Sequence, residues 1–120
     1  MHELSVAQAL VDQVEDLANK HGAVGVHLIR VRVGPLAGVV PELLATAFPL
    51  SAAGTRAEHA RLDFVEAPIR VRCRTCTAET EAKPNNLVCG TCGDWQTEVV
   101  SGDELILETV ELDIPEPIES

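Results

Sequence analysis

Two CxxC motifs twelve residues apart constrain this chain more than any other feature: Cys73-Arg-Thr-Cys76 and Cys89-Gly-Thr-Cys92, which together use all four cysteines. Two such pairs at this separation can set four thiolates at the corners of a tetrahedron, the arrangement that suits Zn(II). Gly90 and Gly93 allow a tight second knuckle whose backbone N–H groups face sulfur. The first knuckle holds Arg74 and Thr75 and no glycine, so it is the less ideal of the two. Arg72 and Arg74 stand where they can offset the negative charge of a four-thiolate site. The competing readings are two disulfides, or a thioredoxin-like redox pair. A reducing compartment opposes the first. The second needs only one CxxC, and that pair normally opens a helix in a βαβ unit. A site with four protein ligands leaves no place for a reacting water, so the zinc is structural and not catalytic.

The rest of the chain must fold around this segment. One Trp, two Phe and no Tyr leave Leu, Val, Ile and Ala to build the core, and a small aliphatic core gains from a metal staple. "SVAQALVDQVEDLANKHG" has the spacing of a helix, with Leu10, Val14, Leu17 and His21 on one face, widened by Val11 and Ala18. Ser5 with Gln8 fits a capping box, Leu4 a staple residue, and Gly22 a stop, which leaves Met1 to Glu3 ahead of the helix. "VGVHLIRVRVG" alternates as a strand. Pro41 suits the first turn of a second helix, "PELLATAFPLSAAG", which Pro49 should kink or end. "ARLDFVEAPIRVR" is a strand broken at Pro68, and "GDELILETVELDI" is another. The closing "PEPIES" is expected to fray. The expected fold class is α+β: two helices on a small three-stranded sheet, with a zinc-ribbon subdomain inserted before the last strand. The expected division is a helix-sheet domain of residues 1–68 plus 99–120, and a ribbon of residues 69–98.

Charge and missing motifs narrow the function. A formal net charge of −10 opposes binding to nucleic acid or anionic membrane surfaces and favours cationic partners or metal ions. No apolar run is long enough to span a bilayer, and no basic-then-apolar signal segment opens the chain, so the expected location is cytoplasmic. There is no GxxxxGK[ST], GxGxxG or GxSxG motif, and no catalytic constellation can be argued from spacing. The chain is expected to bind something and not to be an enzyme.

Of the four histidines, His21 ends a helix, His27 alternates with Ile29 and Val31 as a core or edge residue, and His59 lies in a polar turn. His2 differs because of its neighbours. Behind a free α-amine, it completes three nitrogen donors in one short stretch: the Met1 amine, the His2 amide once deprotonated, and the His2 imidazole. Their fused chelate rings favour a planar arrangement, which points to Ni(II) or Cu(II). Glu3 can add an oxygen ligand or orient another donor. On the first helix, Asp12, Glu15, Asp16 and Asn19 form a polar stripe that reads either as a solvated face or as a docking surface for a basic partner.

Taken together, "MHELSVAQ", "RVRVGPLAGVVPE", "AGT" followed by "ARL", the two CxxC pairs and "SGDELIL" resemble the HypA/HybF family, the nickel metallochaperones of hydrogenase maturation. The resemblance covers almost the whole chain. It implies Ni(II) as transported cargo bound through His2 with Glu3 nearby, to which the chelate reading adds Met1, and structural Zn(II) held by Cys73, Cys76, Cys89 and Cys92. It further implies a HypB-type GTPase partner, a nickel-iron hydrogenase large subunit as recipient, and in some members a role toward urease. Such a carrier is expected as a monomer or weak homodimer. A zinc-ribbon adaptor without a nickel role is the alternative. One departure from the family pattern is His59-Ala60, where Gly-Ala is usual. The missing P-loop fits the resemblance, because nucleotide hydrolysis would belong to the partner.

Overall fold

The computed structural model describes residues 3–115. The elements follow in the order α1 (Glu3–His21), β1 (Gly25–Val33), α2 (Pro41–Ala52), β2 (Arg61–Glu66), β3 (Arg70–Cys73), β4 (Glu79–Glu81), β5 (Thr97–Ser101) and β6 (Leu105–Asp113). They form two three-stranded sheets, ordered β2-β1-β6 and β4-β3-β5. The α+β expectation therefore holds: two helices and a sheet of β1, β2 and β6, with a second small sheet carrying the cysteines inserted before the last strand. The chain parts into two compact units. One is Arg32–Val39 with Val65–Ile106, and the other takes the remaining described residues.

α1 starts earlier than the capping pattern suggests. Glu3 is already in its first turn, where a carboxylate complements the positive end of the helix dipole. Ser5 is therefore an exposed residue inside the helix, and the Ser5–Gln8 capping box does not form. Gln8 instead donates to Asp12 one turn on, at 3.0 Å. The buried face runs through Val6, Ala7, Leu10, Val11, Val14 and Ala18, and the exposed His21 stands outside it. The helix stops as expected. Gly22 takes φ 67°, its N–H donates to Asn19 at 3.3 Å, and that of Ala23 donates to Ala18 at 2.9 Å. This is the paired hydrogen bonding of a Schellman cap.

Pro41 begins α2, but Pro49 does not end it: the helix continues to Ala52. Burial explains the persistence. Leu44, Phe48 and Ala52 repeat every four residues, and all three are buried, so stopping at Pro49 would withdraw Ala52 from the core. Burying side chains the size of Leu44 and Phe48 contributes roughly 1.5–3 kcal/mol each, comparable to the cost of one interior proline.

Residues 61–73 divide at Pro68 as expected, but the two halves join different sheets. β2 pairs beside β1, whereas β3 is the centre of the second sheet. β3 runs antiparallel to β4, with Val71 opposite Thr80, and antiparallel to β5, with Val71 opposite Val99. Val71 and Cys73 are buried on one face of β3. Arg70 and Arg72 reach Glu79 at 3.3 and 3.5 Å. His27 also departs from expectation. Burial in β1 falls on Val26, Ile29, Val31 and Val33, so the alternation slips between Val26 and Ile29. The slip turns His27 outward, exposed and 4.0 Å from Asp113.

Candidate metal centre

The four cysteine sulfurs lie within 4.8 Å of one another. Two close contacts cross between the motifs: Cys73 to Cys92 at 3.6 Å and Cys76 to Cys89 at 3.5 Å. Zinc–sulfur bonds of about 2.3 Å in a regular tetrahedron require sulfur–sulfur edges of about 3.8 Å, so the cage has the size that zinc needs. All four are free thiols. Cys73 and Cys89 are buried, while Cys76 and Cys92 are exposed.

Each motif folds as the same knuckle. The first cysteine's sulfur accepts two backbone amides: Thr75 and Cys76 donate to Cys73, both at 3.4 Å. Thr91 and Cys92 donate to Cys89 at 3.3 and 3.4 Å. The chain then turns back after each second cysteine, with Thr77 N–H donating to the Cys73 carbonyl at 3.1 Å and Gly93 N–H to that of Cys89 at 2.9 Å. Both turns require positive φ, 65° at Thr77 and 77° at Gly93. The inequality expected between the knuckles is thus found at Thr77, a β-branched residue where the second knuckle has glycine. Gly90 plays a different part. A Cβ there would stand 3.1 Å from the Thr80 side chain, so its small size permits close approach.

These amides set the acidity of the thiols. Amides of Cys92 and Thr91 hold Cys89 down to about 6. Those of Cys76 and Thr75 lower Cys73 against the effect of burial. Cys92 accepts the Asp94 amide, which alone would lower it, yet the facing Cys73 thiol and burial push it up to about 12. Cys76 is raised likewise, the Cys89 thiol and burial outweighing the Ala78 amide. Two thiols therefore hold their protons at neutral pH until a cation displaces them, so metal binding releases protons and weakens in acid.

The two arginines expected to balance the thiolates differ in their surroundings. Arg72 pairs with Glu79, and Arg74 is exposed beside Trp95 and Gln96. The polar stripe on α1 is also divided. Glu15 accepts the Arg56 backbone N–H at 3.0 Å and its Nε–H at 2.7 Å, and Asn19 accepts from the same guanidinium. Only Asp12 and Asp16 stay exposed without those ties. Arg56 also donates to the Ala23 carbonyl at 3.2 Å, and its own carbonyl accepts from Val26. Nothing in the pattern around "AGTRAEHA" singles this residue out. Of the expected nickel ligands, Glu3 is half-buried in the first turn of α1. Met1 and His2 lie outside the described residues.

A family model described as hydrogenase/urease nickel incorporation, metallochaperone HypA, matches residues 1–112. The chain belongs to the HypA family. The HypA hydrogenase maturation factor of Nitrosospira multiformis is 46% identical over 112 residues, covering 93% of this chain and 97% of that one. The HypA of Aquifex aeolicus is 36% identical over 114 residues, covering 95% and 99%. The fold is also that of the solution structure of the Ni metallochaperone HypA from Helicobacter pylori, with a TM-score of 0.72 and 24% identity over 96% of this chain and 100% of that one. As a HypA, the chain is a nickel metallochaperone of hydrogenase maturation with a four-cysteine metal site, and not an enzyme. The alternative of an adaptor without a nickel role gives way to this membership. Among the described residues, no helix is long and apolar enough to cross a membrane.

Proposed function

We propose that this HypA carries Ni(II) at its N-terminus and passes it by ligand exchange toward a nickel-iron hydrogenase large subunit, or toward urease. The cargo would be held by the Met1 amine, the His2 amide and imidazole, and Glu3. A single observation carries the proposal: the nickel-incorporation family match begins at residue 1 and so takes in the donor-rich Met-His-Glu opening. These donors suit a planar d⁸ ion, and Glu3, which opens α1, is joined directly to them by the chain. Cys73, Cys76, Cys89 and Cys92 hold a structural Zn(II), for which the sulfur spacing and amide-lined knuckles are suited. The functional division follows the sequence: residues 1–68 with 99–120 for nickel, and 69–98 for zinc.

A HypB-type GTPase supplies the nucleotide hydrolysis for which this sequence has no P-loop. The protein works in the cytoplasm, as a monomer or weak homodimer. Nickel titration of the untagged protein tests the function. One zinc per chain should copurify, and added Ni(II) should develop a planar d–d absorption that His2→Ala abolishes without loss of zinc. Binding should weaken below about pH 6.5, where protons compete for the amine and imidazole. A featureless titration with zinc bound would defeat the nickel assignment.

A further inference from the structure

We propose that Thr80 and the Thr75–Asp94 pair are positioning residues that hold the two knuckles at tetrahedral spacing around the metal. The amides within each CxxC fix the shape of one knuckle. They do not fix its distance from the other, yet sulfur contacts of 3.6 Å for Cys73–Cys92 and 3.5 Å for Cys76–Cys89 join opposite knuckles. Two reciprocal ties span that gap. Thr80, on the strand that leaves the first knuckle, accepts the Gly90 N–H of the second knuckle on its hydroxyl at 2.8 Å. Thr80 is itself held in register opposite Val71, on the strand that leads into Cys73. In the other direction, the Thr75 hydroxyl in the first knuckle donates to Asp94, just past the second. The other oxygen of Asp94 accepts the Gln96 N–H at 3.0 Å, and its carbonyl accepts the Cys89 N–H at 2.9 Å. Each knuckle is thus held by a residue downstream of the other. The missing Cβ at Gly90 is part of the same device, because a Cβ there would stand 3.1 Å from Thr80 and crowd this approach.

Groups that orient metal ligands typically change affinity by about 10–100-fold when removed. The inference rests on the four-thiolate zinc reading and concerns what positions its ligands. Its test is zinc competition against a chromophoric chelator, with Co(II) substitution to read ligand geometry. Thr80→Val keeps the branched shape and strand propensity but removes the acceptor, whereas Thr80→Ser keeps the acceptor. Thr80→Val should weaken zinc roughly 10-fold and alter the Co(II) ligand-field bands, and Thr80→Ser should restore both. Asp94→Ala should weaken zinc similarly, while Asp94→Asn, which keeps an oxygen for Thr75, should do so less. Wild-type affinity and unchanged bands in Thr80→Val would overturn the proposal, as would a Thr80→Ser protein as weak as Thr80→Val. If the wild-type protein takes up no zinc at all, the four-thiolate reading itself falls, and this inference with it.

Discussion

Thr77 and Gly93 occupy equivalent turns behind the two knuckles, and the difference between them is measurable. A non-glycine residue in the left-handed region costs about 1–2 kcal/mol. Thr77→Gly should therefore be neutral or stabilising by up to about 1 kcal/mol, since the relief is partly offset by greater freedom of the unfolded chain. Gly93→Ala should destabilise by about 1–2 kcal/mol. Denaturant titration of the zinc-loaded proteins checks the pair, and equal shifts in the same direction would contradict the equivalence. Gly34 is a harsher case. A Cβ there would lie 2.0 Å from the Gly102 carbonyl oxygen, and Gly102 itself needs φ 108°. Backbone cannot yield that much, so Gly34→Ala should cost more than about 3 kcal/mol and reduce soluble yield. At this scale the cysteines and Gly93 were legible in the sequence, because metal geometry and positive φ restrict residue choice. Thr77 was not, because its conformation opposes its own propensity and is imposed by the knuckle.

Among the elements, those shaped by apolar periodicity could be read directly, and those shaped by hydrogen bonds could not. α1, β1, α2 and β6 follow from their spacing. The persistence of α2 past Pro49 needed the burial of Ala52, which only the packed structure reveals. β4 and β5 carry little apolar signal, as Glu79-Thr80-Glu81 illustrates, and their pairing is set by the knuckles they connect. The link between β5 and β6 offers a pH test. Glu104 accepts the Gly102 N–H, which with its own amide holds its carboxyl below the usual range. A depressed carboxylate stabilises the fold above its unfolded pKa of about 4.3, and that stability is lost as pH falls through the lower folded value. Glu104→Gln should therefore narrow the stability difference between pH 7 and pH 3, measured by denaturation; an unchanged difference would remove Glu104 from the account. On α1, only the exposed Asp12 and Asp16 remain available for a basic partner. Reversing both charges should slow association with the proposed GTPase partner and flatten its salt dependence, as stopped-flow measurements would show. Unchanged kinetics would leave those two residues as a solvated face.

In the molecule as a whole, zinc and nickel are proposed to serve separate tasks. Zinc organises its own segment, so Cys92→Ala should lose zinc and the ordered amide signals of β3, β4 and β5 while α1 and α2 keep theirs. Retention of full zinc with an unchanged amide spectrum would refute the four-thiolate site. Nickel, the cargo, is proposed to depend on the start of the chain, and the whole transport mechanism rests on that dependence. It is tested most directly by isothermal titration of Ni(II) into the native protein and into a form with Gly-Ser placed ahead of Met1. The extension keeps every side chain, His2 and Glu3 included, and converts only the Met1 amine into an amide that resists deprotonation. The extended protein should keep its zinc and its fold but lose tight nickel binding and the planar absorption. Undiminished nickel affinity in the extended protein would contradict it.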